Sequence, residues 1–430
     1  MNDRPMAGNA GKMETREWVL PILAGLVALV PYVLNRGLFA RLFWFGDEFD
    51  LIDQISRLGF WHWVWMVFAE NFVPIFKVLW GGAVLAFGGS YAAMILLVWL
   101  THAMNVALLG RLMRACGLPW IAVLTAQVLF GLSSTNYETL AWSVQWSAVL
   151  SVTFMLLGMD AFQRGRTAGE QVVSAALSAL SFSRGVLTGP VIASGVLLGG
   201  GKTGTVTTTR LRRAGWLLIP SLGVAALITL LASGNHQHMR GHLADAAVYG
   251  LWYLCANPAH ELLGVESYGW HTVAVLGTAK VALVIWCLAR STGRTRVFFL
   301  MLVLFELGNA ALLGIGRFHT GIAATLASRY QYASLIGFTP ILGFAVAGLL
   351  ERIPGPARIR STIAVVLLGV LTGHLIQGWT QDLDEFTAWR GTQSRRILFE
   401  DPAPAVDAVP GIPGLPMERA KLLIRDYHLH

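Results

Sequence analysis

The chain has 430 residues, of which 55% are hydrophobic and only 13% charged, and its mean hydropathy is +0.58. So little charge cannot cover a water-soluble domain of this length, which leaves a multi-pass membrane protein. The net charge of +8 does not point to nucleic acid, because the basic residues gather in short connectors between apolar runs, the pattern that keeps positive loops in the cytoplasm.

The first apolar run, 18–35, follows a polar stretch and has no small-residue cleavage site after it, so it reads as a retained span rather than a signal peptide. Basic clusters then mark the cytoplasmic side: Arg111 with Arg114, Arg164 with Arg166, Lys202 through Arg213, Arg290 through Arg296, and Arg352 through Arg360. On that path the crossings are 18–35, 91–112, 118–134, 140–160, 170–183, 186–200, 216–233, 273–290, 297–315, 330–350 and 361–379. The predicted fold is all-α, a polytopic transmembrane protein of about eleven spans, with its N-terminus cytoplasmic and C-terminus extracytoplasmic in the inner or plasma membrane. The fifth and sixth spans are short and read as tilted or partly crossing.

Residues 36–90 become one long outer loop. Its apolar piece IFKVLWGGAVLAFGG, 75–89, is read as an interfacial or re-entrant helix, because a full crossing would send Arg111 and Arg114 outside. Phe60, Trp61, Trp63, Trp65 and Phe68 favour the membrane–water boundary. Residues 1–379 thus form a transmembrane domain, and 380–430 a short outer tail with the Pro-rich connector DPAPAVDAVPGIPGLP and a last short helix. Further outer pieces are 135–139, the turn at Arg184, and the loops 234–272 and 316–329.

Against this apolar background FWFGDEFDLIDQI, 43–55, concentrates acid. Asp53 stands four residues before Arg57, the favourable order for a helical ion pair. Asp47 and Glu48 have no local basic partner, and carboxylates near headgroups suffer desolvation unless a cation or a reacting proton compensates. On the same face lie Glu138 in SSTNYETLAW, Arg329 and Tyr330 in ASRYQY, Lys77 and Arg184. Arginine and lysine there suit a phosphate, or headgroups reached by snorkelling.

Glu306 is the one acid read within a span, and Asn309, or His102 with Asn105, are its candidate partners in an intramembrane polar site. His236 and His238 read as a polar loop rather than a metal site. Cys116, Cys255 and Cys287 have no paired spacing. No dinucleotide fingerprint, Walker A, H-E-x-x-H or G-x-S-x-G is present.

The order of these elements resembles the GT-C class of membrane glycosyltransferases, including the lipid A aminoarabinose transferases and protein O-mannosyltransferases. GDEFD supplies an Asp-Glu pair after the first span, NFVPIFKVLW a proline-bearing stretch, SSTNYETLAW an acid at Glu138, and SFSRGVLTGP the next landmark. In place of the family's His-Pro this chain has Ser133 and Ser134, and Arg184 stands where an acid is usual.

The resemblance implies transfer of a sugar from a polyprenyl-phosphate donor to an extracytoplasmic glycolipid, glycan or protein, with inversion. Asp47 or Glu48 would be the base and Glu138 would orient the acceptor. Arg329, Lys77, Arg184 and Tyr330 would bind the donor phosphate. Asp47 and Glu138 permit a divalent cation, Mg or Mn, without requiring one. The main alternative is a transporter or flippase for lipid-linked glycans, which would use charges inside the membrane and pseudo-symmetric halves. A membrane acyltransferase would depend on His102.

Overall fold

The structure, a computed structural model, describes residues 10–68, 71–199, 207–231, 241–265, 268–399, 408–409 and 412–430. His236 and His238 lie outside them. The first apolar run becomes α1 (Ala10–Val27) and α2 (Val30–Leu34), followed by α3 (Arg36–Phe39). The loop beyond is built from α4 (Asp47–Leu58), α5 (Phe60–Val64) and α6 (Pro74–Ala86). Next come α7 (Tyr91–Ala115), α8 (Trp120–Leu132), α9 (Tyr137–Ala141), α10 (Trp146–Gln163), α11 (Ala168–Ala179), α12 (Thr188–Leu198) and α13 (Thr208–Leu231). The second half holds α14 (Leu243–Ala256), α15 (Ala259–Leu262), α16 (Trp270–Arg290), α17 (Gly293–Arg317), α18 (Ser328–Glu351) and α19 (Ala357–Phe399). A two-stranded ribbon, β1 (Ala408–Val409) against β2 (Ile412–Pro416), leads into α20 (Met417–Asp426).

Each expected crossing falls largely on helix among the described residues. Among the described residues seven helical stretches are long and apolar enough to cross a membrane, and 19–34, 74–86, 120–132 and 183–198 are shorter apolar ones. At 1.5 Å per residue the 13-residue α8 rises about 20 Å, less than the ~30 Å hydrocarbon core. The chain between α8 and α10 runs through 3₁₀ turns and the short α9, with Ser133, Asn136, Thr139 and Ser143 buried. Irregular backbone at this level is tolerated where protein covers it.

Two stretches differ from the sequence reading. Residues 243–256, expected within an outer loop, form α14 and pack on α17. Gly250 lies against the Ala310 carbonyl and Gly314 against that of Ala246, so a Cβ at either position would clash and the two backbones approach closely. A segment of 14 residues is too short to be seen as a span by apolar length alone, yet it is buried by this contact. The break expected after Trp379 is also absent. α19 continues for 43 residues, a rise of about 65 Å and more than twice the hydrocarbon thickness. Trp379 Nε1 donates to the Leu132 carbonyl at 2.9 Å and Thr380 Oγ1 to Asn35 Oδ1 at 3.1 Å, so the ends of α2 and α8 meet α19 at one level. Beyond that level α19 meets the 36–90 loop, Asp384 pairing with Arg41 at 3.5 Å and Arg390 donating to the Phe43 carbonyl.

The C-terminus returns to the same loop. Arg419 of α20 pairs with Asp53 at 2.6 Å, and Asp53 also takes the expected Arg57 at 2.8 Å. His430 and the Gly89–Tyr91 segment exchange backbone hydrogen bonds.

Candidate functional site

α4 starts at a bend that only its glycine makes easily. Gly46 has φ +55°, a conformation disfavoured for side chains with a Cβ, and it turns the chain from FWF into the first helical turn. The two acids that follow then part company. Glu48 points into the protein and is 0% exposed. It accepts from the Phe45 amide at 2.8 Å, from the Ser143 amide at 3.0 Å, from Ser143 Oγ at 2.6 Å and from the Tyr91 hydroxyl at 3.2 Å. Arg390 of α19 lies 3.6 Å away and also donates to the Phe43 carbonyl at 2.7 Å and to the Tyr91 hydroxyl at 3.0 Å. Fully buried and held by four donors, this carboxylate is out of reach of an acceptor in the cavity.

Asp47 faces a cavity of about 430 Å³. No hydrogen bond or ion pair ties its carboxylate to another described residue. The residue is exposed in the cavity wall, yet desolvation by the protein around it raises its pKa above the usual carboxylate range against the pull of Arg317 and Arg329. The same cavity is lined by Arg184, Arg317, Arg329 and Tyr330, with Asn71, Gln145 and Trp142 beside them. Ile228 of α13 and Leu312, Leu313 and Ile315 of α17 give it an apolar wall.

The cations differ in how they are held. Arg329 Nη1 donates to Glu138 Oε1 at 2.7 Å, and its amide donates to Oε2 at 3.2 Å. Ser328 Oγ donates to the Thr135 carbonyl at 2.7 Å and accepts from the Glu138 amide at 3.1 Å, which locks α9 to the start of α18. Arg184, in the turn Ser183–Leu187 before α12, is only 5% exposed, and its Nε and Nη1 have no hydrogen-bond partner among the described residues. The guanidinium lies 5.0 Å from the Phe182 ring.

Other residues singled out from the sequence lie elsewhere. Lys77 does not line the cavity; its buried ammonium donates to the carbonyls of Trp63 and Met66, both at 2.9 Å, and so caps the end of α5. His102 and Asn105 both bond the Tyr332 hydroxyl, at 3.1 and 2.9 Å, and tie α7 to α18. Glu306 is not part of that cluster. It pairs with Lys280 at 2.5 Å and accepts from Ser334 Oγ at 2.9 Å, while Asn309 donates to the Tyr253 hydroxyl at 2.9 Å. Closed by these bonds, each group is a buried polar joint between helices.

The sequence reading missed Arg317, Lys280 and Arg390. Arg317 lies in an outer segment already read as such, and a lone lysine inside an apolar run is itself a signal. Arg390 sits in the stretch read as a short outer tail, ahead of its Pro-rich connector, and nothing near it in sequence announces Glu48.

A divalent cation does not fit the acids as they stand. Both Glu138 oxygens accept from Arg329, and Asp47 is left with two arginines acting on it. Among the described residues no group of three or more His, Cys, Asp or Glu could hold a metal.

Fold and cavity together define a polytopic, predominantly helical membrane protein in which, among the described residues, one carboxylate and three arginines share one cavity beside an apolar wall. No protein-family model and no curated protein matches the chain. Among solved structures it is similar to the archaeal oligosaccharyltransferase AglB from Archaeoglobus fulgidus, in complex with an inhibitory peptide and a dolichol-phosphate. The TM-score is 0.49 at 13% identity, covering 97% of this chain and 60% of that one. This chain therefore spans about three fifths of that neighbour's length.

Proposed function

We propose that the chain is a membrane glycosyltransferase that moves a sugar from a polyprenyl-phosphate donor to an extracytoplasmic acceptor. The observation that carries this reading is Arg184, a buried guanidinium whose Nε and Nη1 have no hydrogen-bond partner among the described residues, in the wall of a cavity that also holds Asp47. A buried charge left so is costly, and a phosphate supplies its missing acceptors. The apolar wall from α13 and α17 suits the polyprenyl chain.

In this reading Asp47 takes the proton from the acceptor hydroxyl as its oxygen bonds to the anomeric carbon. The bond from that carbon to the phosphate oxygen breaks, and the phosphate leaves with the electron pair. Arg184 and the Tyr330 hydroxyl stabilise the charge that develops there. One displacement inverts the anomeric centre. Glu48 holds α4 in place, and Glu138 holds Arg329 on the side of the base. Lys77 has no part in donor binding. No step is routed through a metal.

The test is turnover in reconstituted membranes with labelled polyprenyl-phosphate sugars. Arg184→Gln should raise KM for the donor about tenfold or more, the worth of a charge-assisted contact, with an inverted product from the wild type. An unchanged KM would refute the phosphate assignment. Passage of the labelled lipid across the bilayer with its sugar–phosphate bond intact would indicate a lipid-linked glycan transporter instead.

A further inference from the structure

We propose that Trp142 and Gln145 recognise the transferred sugar, the indole stacking on the C–H face of a pyranose ring and the amide reading its hydroxyls; this rests on the cavity being the site of the polyprenyl-phosphate donor.

The pair stands where the chain between α8 and α10 leaves the α-helix. Trp142 is extended, with φ −128° and ψ 115°, and a single 3₁₀ turn follows, in which the Gln145 amide donates to the Trp142 carbonyl at 3.0 Å. Side chains three apart in such a turn lie over one another, and both of these line the cavity. Three side chains hold the backbone around them. Tyr91 donates to the Ala141 carbonyl at 3.4 Å, Trp80 Nε1 donates to Ser143 Oγ at 3.0 Å, and Glu48 accepts from the Ser143 amide and hydroxyl. Glu48 thereby joins α4 to this segment, and its neighbour Asp47 shares the cavity with Trp142 and Gln145.

The indole is next to the base. A Cβ at Gly46, the residue before Asp47, would stand 3.8 Å from Trp142 Cζ2, and the Phe45 ring meets the indole edge-on at 6.4 Å. Trp142 is only half-buried, yet its Nε1 is buried and has no hydrogen-bond partner among the described residues. The surface it gives the cavity is thus carbon, held there at the cost of an unpaired N–H that a phenylalanine would not carry. Gln145 is the complement. It is half-buried, and its side-chain amide makes no hydrogen bond to another described residue, which leaves donor and acceptor groups in the cavity wall.

A pyranose has these two kinds of surface. Its axial C–H bonds form an apolar, weakly positive patch that suits the negative face of an aromatic ring, and its hydroxyls both donate and accept. A prenyl chain would use the carbon and leave the amide unpaired, and a phosphate would gain nothing from the carbon.

The experiment measures equilibrium binding of radiolabelled lipids to the full chain in phosphatidylcholine nanodiscs. Undecaprenyl phosphate is compared with the same lipid carrying glucose, galactose or mannose. In the wild type each sugar should tighten binding about fivefold or more over the bare phosphate, the worth of one aromatic contact, with one of the sugars preferred. Trp142→Ala should abolish that gain and leave undecaprenyl phosphate affinity unchanged, whereas Trp142→Phe should keep most of it. Gln145→Leu should keep a gain but level the three sugars, because stacking reads only the ring face.

A wild type that gains from none of the sugars, or a gain indifferent to Trp142→Ala, overturns the proposal and leaves the donor reading standing. Equal weakening of bare and sugar-bearing lipid by Trp142→Ala marks a structural tryptophan and overturns it as well. So does a Gln145→Leu protein that ranks the sugars as the wild type does, a readout that needs no folded Trp142→Ala. Undecaprenyl phosphate that fails to bind the wild type refutes the donor reading itself, and the proposal falls with it.

Discussion

Asp47 is exposed in the wall of the cavity, yet desolvation by the protein around it disfavours the charged form more than Arg317 and Arg329 favour it. Its pKa is therefore raised, and as a base it works only when deprotonated. Turnover should rise with pH through a value above the ordinary aspartate figure of about 3.9, and kcat/KM measured from pH 4 upward checks this. An acid limb at or below the ordinary value would contradict this. Asp47, Arg184, Arg329 and Tyr330 were legible as candidates because charge is scarce in this chain. That they line one cavity was not, since it depends on which helix ends meet. Sequence also could not separate Asp47 from Glu48, which differ by one residue and hence by about 100° around α4.

At the scale of elements, the joint between α4 and the far end of α19 decides where Asp47 points. Glu48 and Arg390 are both almost fully buried, and Arg390 is flanked by the rings of Phe45, Tyr91 and Phe386. Removing one partner of such a pair leaves an uncompensated buried charge. Arg390→Met should cost about 3–5 kcal/mol of stability, and the double change with Glu48→Leu should recover a large part of it. Thermal unfolding in detergent measures both, and a double variant no better than the single one would show that the pair is not the joint. The crossing segments themselves were legible, because twenty apolar residues announce a span. α14 and the end of α19 were not, for opposite reasons: one is apolar but short, and the other is long but polar beyond Trp379.

For the whole molecule, the account requires that loops far apart in sequence share one face. Asp47 follows α3, Glu138 follows α8 and Arg329 opens α18, and their contacts and common cavity bring those helix ends together. Single cysteines at 47, 138 and 329 should react with an impermeant reagent added from the extracytoplasmic side of intact cells. Labelling from the cytoplasmic side at any of them would break the orientation read from the basic connectors.

The central claim is that Asp47 removes the acceptor proton. Its most direct test is single-turnover sugar transfer at saturating donor, wild type against Asp47→Asn, with donor affinity measured on the same preparations. The account predicts a rate lower by about 10²–10⁴-fold, the usual worth of a general base, with donor affinity unchanged. An Asp47→Asn protein that transfers sugar at the wild-type rate would contradict it.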